Sequence, residues 1–436
     1  MLYTSHCAWN YYYYKNGIQK KALFGRMNVN NAKLTLKIKH SSLFIAILVM
    51  LMLKDMISYN NVEWSMVPGS TSWEALGTTN YFTISLVLAS LFCVIALSCF
   101  FYEKNKNFFS SVFNLNLFII IFAIIGWTFI SFATEGVQQT LYSSSNPLVY
   151  LTVLAVIIGT DDAIWNKLSK AAPLFAALNI LLSFYSYFPF ASMNVGLLGG
   201  NSPTMTYFVS GFWFLAVAII DYENKSRKSK ILIYTLLTLC ITLAVIINSR
   251  SWVIQSTILL FIAAFISKNK RIISKLLITC IIIALVSSIA YFIIDNYYVD
   301  YLVSFTNKLE RDTRSFQYEE IFSQIPFYQF IFGGGIDATY QSSLYGDYRY
   351  IDNQYIMALF HYGILIFLPY VFFFVSSAWK LWKCNVKITK KIGCFIVFLW
   401  LLALGGLSIY NVIIIDFKSI LLPMVAGRCL FLSKEG

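Results

Sequence analysis

The chain has 436 residues, of which 58% are hydrophobic, 18% aromatic and 12% charged, with a formal net charge of +13. Soluble domains carry about 25% charged residues, so the composition excludes a soluble globular protein and points to an all-α polytopic membrane protein. The positive charge lies mostly in short connections between apolar runs, which argues against a nucleic-acid footprint.

The first forty residues hold Tyr11 to Tyr14 in a row and the bases Lys15, Lys20, Lys21, Arg26, Lys33, Lys37 and Lys39. A signal peptide needs its apolar core nearer the start. Residues 1–40 are therefore read as a basic cytoplasmic tail, with a natural start at Met27 as a second reading.

A helix needs about 20 apolar residues to cross a bilayer. Runs of that kind predict twelve spans, at 41–58, 81–101, 108–132, 147–160, 171–190, 204–221, 231–248, 251–267, 272–294, 354–378, 392–409 and 411–431. Together, residues 41–436 make one transmembrane domain. Cytoplasmic connections collect Lys and Arg. With the N-terminus inside, the outer face keeps Lys54, Arg250, Lys308, Arg311, Arg314, Arg349 and Lys418, and the rest of the 33 basic residues fall inside. This orientation sets both termini in the cytoplasm and the long polar loop 295–353, between the ninth and tenth spans, on the outer side. The eight cysteines avoid the outer loops and have no CxxC spacing, and three scattered histidines are too few for a metal site.

Candidate chemistry concentrates around that loop. Arg250 stands at an outer turn, in Ser249-Arg250-Ser251-Trp252. One reading is an interfacial anchor with Trp252 in the aromatic belt; the other is an anion-binding arginine. Arg311 and Arg314, three apart, share a face if this part is helical and so reach one phosphate-bearing ligand. The alternative is local pairing with Glu310, Asp312, Glu319 and Glu320. Gly333, Gly334 and Gly335 suit either a tight turn or an anion nest of backbone N–H groups. No Gly-Lys-Ser/Thr follows, so Walker A spacing is absent. Asp352, where the loop rejoins the membrane, serves as a general base or caps the next helix, with Asn353 and Tyr355 beside it as sugar contacts. His361 is expected to be buried and hydrogen-bonded, and only secondarily a proton carrier.

The order of these pieces carries more than any one of them. Ser249-Arg250 at a turn is followed by two spans, then by Arg311-x-x-Arg314-Ser315-Phe316, Pro326, Ile331-Phe332-Gly333-Gly334-Gly335, Asp352-Asn353-Gln354-Tyr355 and a helix with Gly363. Over roughly residues 204–409 this order resembles the O-antigen polymerase (Wzy-type) and O-antigen ligase superfamily of membrane glycosyltransferases. The resemblance implies a bacterial inner-membrane enzyme that needs no cofactor, metal or nucleotide sugar. Its donor would be an undecaprenyl-diphosphate-linked oligosaccharide held among membrane lipids, with a chain-length regulator as partner and no nucleic acid. By the family pattern, Arg250 and Arg314 match the arginines thought to bind the diphosphate. Ligases have a His-Asn pair where this chain has Asp352-Asn353, which favours polymerase. Asp352 is then the first candidate base, with Glu319 or Glu320 behind it. Ligase is the first rival reading, and a flippase of lipid-linked sugars the second.

Overall fold

In the computed structural model, the described residues are 39–60, 63–66, 73–76, 81–142, 146–191, 203–247, 249–266, 313–343, 346–349, 351, 353–404 and 416–434. The fold below is that of His40–Gly436, and it is built almost wholly of helices. They are α1 (His40–Asn60), α2 (Tyr81–Asn105), α3 (Ser111–Tyr142), α4 (Ala155–Gly159, continuing a 3₁₀ segment Pro147–Leu154), α5 (Asp162–Ala191), α6 (Pro203–Ile220) and α7 (Arg227–Ile246). There follow α8 (Arg250–Ile266), α9 (Thr313–Gln324), α10 (Phe327–Phe332), α11 (Gln354–Tyr362), α12 (Ile364–Lys383), α13 (Ile392–Leu402) and α14 (Phe417–Ser433). Two antiparallel hairpins lie in connecting segments: β1 (Glu63–Met66) with β2 (Trp73–Leu76), and β3 (Tyr340–Ser342) with β4 (Gly346–Tyr348).

Among the described residues, seven helices are long and apolar enough to cross a membrane: α1, α2, α3, α5, α6, α7 and α12. Pro147–Gly159 and Ser251–Ala264 are apolar but shorter. The expected span 272–294 lies outside the described residues, as does 405–415 between α13 and α14.

Helix α6 is the hub. It is apolar all round, and its side chains from Tyr207 to Ile220 are buried, as expected for a helix surrounded by protein. The last helix, α14, is nearly as enclosed. It meets α4 through Gly159 and Gly427. A Cβ on Gly427 would run into the backbone carbonyl of Val156, and one on Gly159 into that of Met424. Small residues let membrane helices approach this closely.

Glycines break one expected span and the extension of another. The run 354–378 divides into α11 and α12 at Gly363, whose φ of 69° lies in the left-handed region that side chains avoid. Helix α3 extends ten residues past the expected 132, with Gly136 at φ 81° interrupting it. Thr140 spans that interruption, its hydroxyl donating to Ser131 O at 3.0 Å and Gly136 O at 2.8 Å.

The chain alternates direction, so the connections gather at two ends of the bundle. The basic end has Lys104 paired with Asp161 at 2.6 Å and Arg428 with Asp162 at 2.8 Å. The Arg428 guanidinium also lies over the rings of Trp165 and Phe431. Trp165 Nε1 donates to Asp221 at 2.7 Å. Toward the opposite end, called the loop end here, Lys54 and Asp55 form a buried pair, and Lys418 reaches Asp416 at 3.0 Å. Asp416 caps α14 in a reciprocal box with Ser419. The second carboxylate oxygen of Asp55 has no hydrogen-bond partner among the described residues.

Candidate functional site

The described part of the polar loop folds onto α11. Ile321 of α9, Tyr340 of β3, Ile351, and Met357 and Phe360 of α11 form a small core separate from the main one. Polar side chains finish the assembly. Gln317 donates to the Tyr340 hydroxyl at 2.8 Å, and Gln324 both donates to and accepts from the backbone of Gln341 at 2.8 Å. At the turn of the β3–β4 hairpin, Ser343 N–H donates to the Glu320 carboxylate at 2.8 Å.

The triple glycine joins this unit to the bundle, and its amides do not form an open anion nest. Gly333 N–H donates to Gln329 O at 2.7 Å, Gly334 N–H to Phe360 O at 2.8 Å and Gly335 N–H to His361 O at 2.8 Å. All three donors are used: the first closes the end of α10, and the other two lock it to the end of α11. Glycine is required by close approach as well as by φ. A Cβ on Gly333 would stand 2.7 Å from His361 O and Tyr362, and one on Gly363 would strike Ile331 O.

Around this corner lie four charged or titratable groups. Arg349 pairs with Asp337 at 3.2 Å, and Glu135, from α3, hydrogen-bonds to the same Asp337. His361 is buried, with Nδ1 2.8 Å from Gly335 O and Nε2 3.1 Å from Arg349 O. Burial, together with the Arg349 charge, holds its imidazole below the usual range against the opposing pull of the two carbonyls. A neutral ring has one N–H and donates to one of those carbonyls at a time. Two carboxyl groups in contact can share a proton, the kind of chemistry that acid–base sites use.

The other expected site residues fall as follows. Arg250 opens α8 directly after a tight turn, where Ser249 N–H donates to Ala244 O and Trp252 N–H to Ser249 O. Trp252 is buried against Phe208 and Phe212, not set in a lipid-facing belt. Arg314 lies in the first turn of α9. The side chains of Arg250 and Arg314, and the whole of Arg311 and Asp352, lie outside the described residues.

Glu319 is exposed on α9. Glu320 is committed to the hairpin turn, and its hydrogen bonds to Ser343 hold its carboxyl below the usual range, which makes it a poor base. Asn353, not Asp352, is the N-cap of α11; its side chain accepts from Tyr355 N–H at 3.0 Å and donates to the Tyr318 hydroxyl at 3.2 Å. The Tyr355 hydroxyl donates to Leu401 O in the bundle, and burial pushes it up to about 12. Both side chains thus have structural partners within the fold.

Glu135 and Asp337 were not candidates in the sequence. Glu135 lies beyond the expected end of its span, and nothing local links it to Asp337 about two hundred residues later. The usable signal was the acid two residues after the glycine run.

Fold and site thus define an all-α polytopic membrane protein with a polar unit packed on one end of its bundle. Residues 234–371, roughly a third of the chain, match the family model described as O-antigen ligase. This stretch runs from α7, through the Arg250 turn and the polar unit, into α12, and over it the chain is similar to the O-antigen ligase and polymerase superfamily of membrane glycosyltransferase-like enzymes. No curated protein matches the chain.

Proposed function

We propose that the protein is an O-antigen or related polysaccharide polymerase. It transfers a growing glycan from undecaprenyl diphosphate to the sugar of an incoming lipid-linked repeat unit on the outer face of the bacterial inner membrane. The observation that carries the reading is the family match over 234–371, which includes Arg250, Arg314, the glycine corner and Asp352-Asn353. The Asp-Asn pair, where the resembling ligases have His-Asn, favours polymerase over ligase.

The chemistry follows from charge. The leaving group is a lipid diphosphate, and Arg250 with Arg311 and Arg314 stabilises the charge that develops on it. No metal step is invoked. The acceptor hydroxyl is deprotonated by a carboxylate, with Asp352 the first candidate and Glu319 behind it. The Asp337–Glu135 pair brings together two further carboxyl groups of the right chemistry. A chain-length regulator is the expected protein partner.

The test is a lipopolysaccharide gel from cells lacking the protein, with and without complementation. The expected result is loss of the ladder with a core-plus-one-repeat band retained. Loss of every O-unit band overturns the polymerase reading in favour of ligase or flippase, and an unchanged ladder overturns both.

A further inference from the structure

Helix α10 reads Phe327-Tyr328-Gln329-Phe330-Ile331-Phe332 and contains no charge. In a water-facing loop such a helix would be expected to turn its rings inward. Only Phe330 does so, packing on the α9–α11 core. Phe327 is 78% exposed, Tyr328 65% and Phe332 68%, so one face of the helix is an uncovered aromatic surface. Its position gives that surface a partner. Gly363 packs on the backbone of Ile331 and Phe332, and the next residue, Ile364, is the first of the span Ile364–Lys383. Ile364, Leu365 and Leu368 in the first turns of that span are themselves exposed, as side chains facing lipid should be. The aromatic face of α10 therefore continues the lipid-facing surface of α12 at the depth where the span begins.

We propose that α10 docks on the bilayer, with Phe327, Tyr328 and Phe332 inserted at the boundary between headgroups and acyl chains. Uncharged aromatic segments favour this zone, and an amphipathic helix lies in its plane. Docking fixes the height of everything hydrogen-bonded to the glycine corner. His361, Arg349 and Asp337 are then held at headgroup level, where they address amphiphilic ligands lying in the membrane, not solutes in bulk water.

The experiment uses the full chain in nanodiscs, with an environment-sensitive fluorescent amino acid in place of Phe327, Phe332 or, as the water-facing reference, Ser343 in the exposed hairpin turn. Lipids brominated at shallow or deep acyl carbons supply the quencher. Shallow bromines are expected to quench the probes at 327 and 332 at least twofold more than the probe at 343, and deep bromines to quench them less. Quenching no greater than at 343 overturns the proposal. So does protection of both probes from bromine and from aqueous iodide, which would mean that protein, a second copy included, covers the face. The readout is depth and is independent of glycan transfer, so the docking and the polymerase reading fail separately.

Discussion

At the basic end, Lys104 meets Asp161 and Arg428 meets Asp162 across helices far apart in the chain, and aromatic rings cover the Arg428 guanidinium. At the loop end the buried pairs are local, Lys54 with Asp55 and Lys418 with Asp416, and one oxygen of Asp55 is left without a hydrogen bond. Above them, Asp337 is shared between Arg349 and Glu135. Long-range pairs fix which helices are neighbours. Carboxyl groups that face one another can share and exchange a proton, which suits chemistry better than architecture. One end of the bundle specifies the fold, and the other gathers groups on which the proposed chemistry draws.

The sharpest way to break this contrast is to attack the architecture directly. Gly427→Leu drives a side chain into the backbone of α4, and overpacking that cannot relax costs about 3 kcal/mol or more. Loss of monodisperse protein on size-exclusion chromatography is the expected result. Next comes the reacting end. Arg250→Ala should abolish chain extension at unchanged protein level, and Arg250→Lys should recover little if the contact is bidentate. Full recovery by lysine in the gel ladder would reduce the arginine to a point charge.

Asp337→Asn removes the shared carboxylate while keeping shape, and transfer should fall about 100-fold, within the range for a lost acid–base group. A thermal midpoint within a few degrees of wild type would separate that loss from unfolding. The converse test is Arg428→Gln. Its guanidinium is buried but Asp162 is half exposed, so the cost lies between that of buried and surface pairs, about 2 kcal/mol. Chain length should be normal once protein level is matched.

The smallest effect is a pH slope. Because the folded protein holds His361 below its unfolded value, the unfolded state takes up the proton more readily. The stabilisation is complete above the unfolded value of about 6.5 and is lost as pH falls toward the folded one. The thermal midpoint should therefore drop on acidification below that point, and His361→Gln should flatten the drop. A slope unchanged by the substitution would assign it to other groups.

Membrane character, most helices and the turn at Arg250 were legible because each depends on local composition, an apolar run or its interruption by charge. The break at Gly363 was not, since a glycine within an apolar run is compatible with a continuous helix, and the one at Gly136 falls beyond the run that marks its span. What decides Gly363 is its contact with Ile331 and Phe332, distant in sequence. The same reason hid the role of the triple glycine, whose acceptors Phe360 and His361 lie about 25 residues on. Asp352 and Asn353 are both competent caps, and the residue whose side chain meets the amides of Tyr355 and Ile356 could be chosen only from backbone geometry. The Glu135–Asp337 contact depends on how far α3 rises past its expected end.

Helix α6 also bears on the order of assembly. It is buried by α5, made just before it, and by α7, α8, α13 and α14, made after it. Being apolar on every side, α6 can wait in lipid at little cost while the rest of the chain is synthesised. Helix α14 has no such patience: Lys418 and Ser419 bring their partner Asp416 with them, but Arg428, buried in the finished bundle, needs Asp162 of α5 as it enters. Completion of the bundle is thus timed by the arrival of a helix with a buried charge, whose seat among α4, α6 and α12 must already exist.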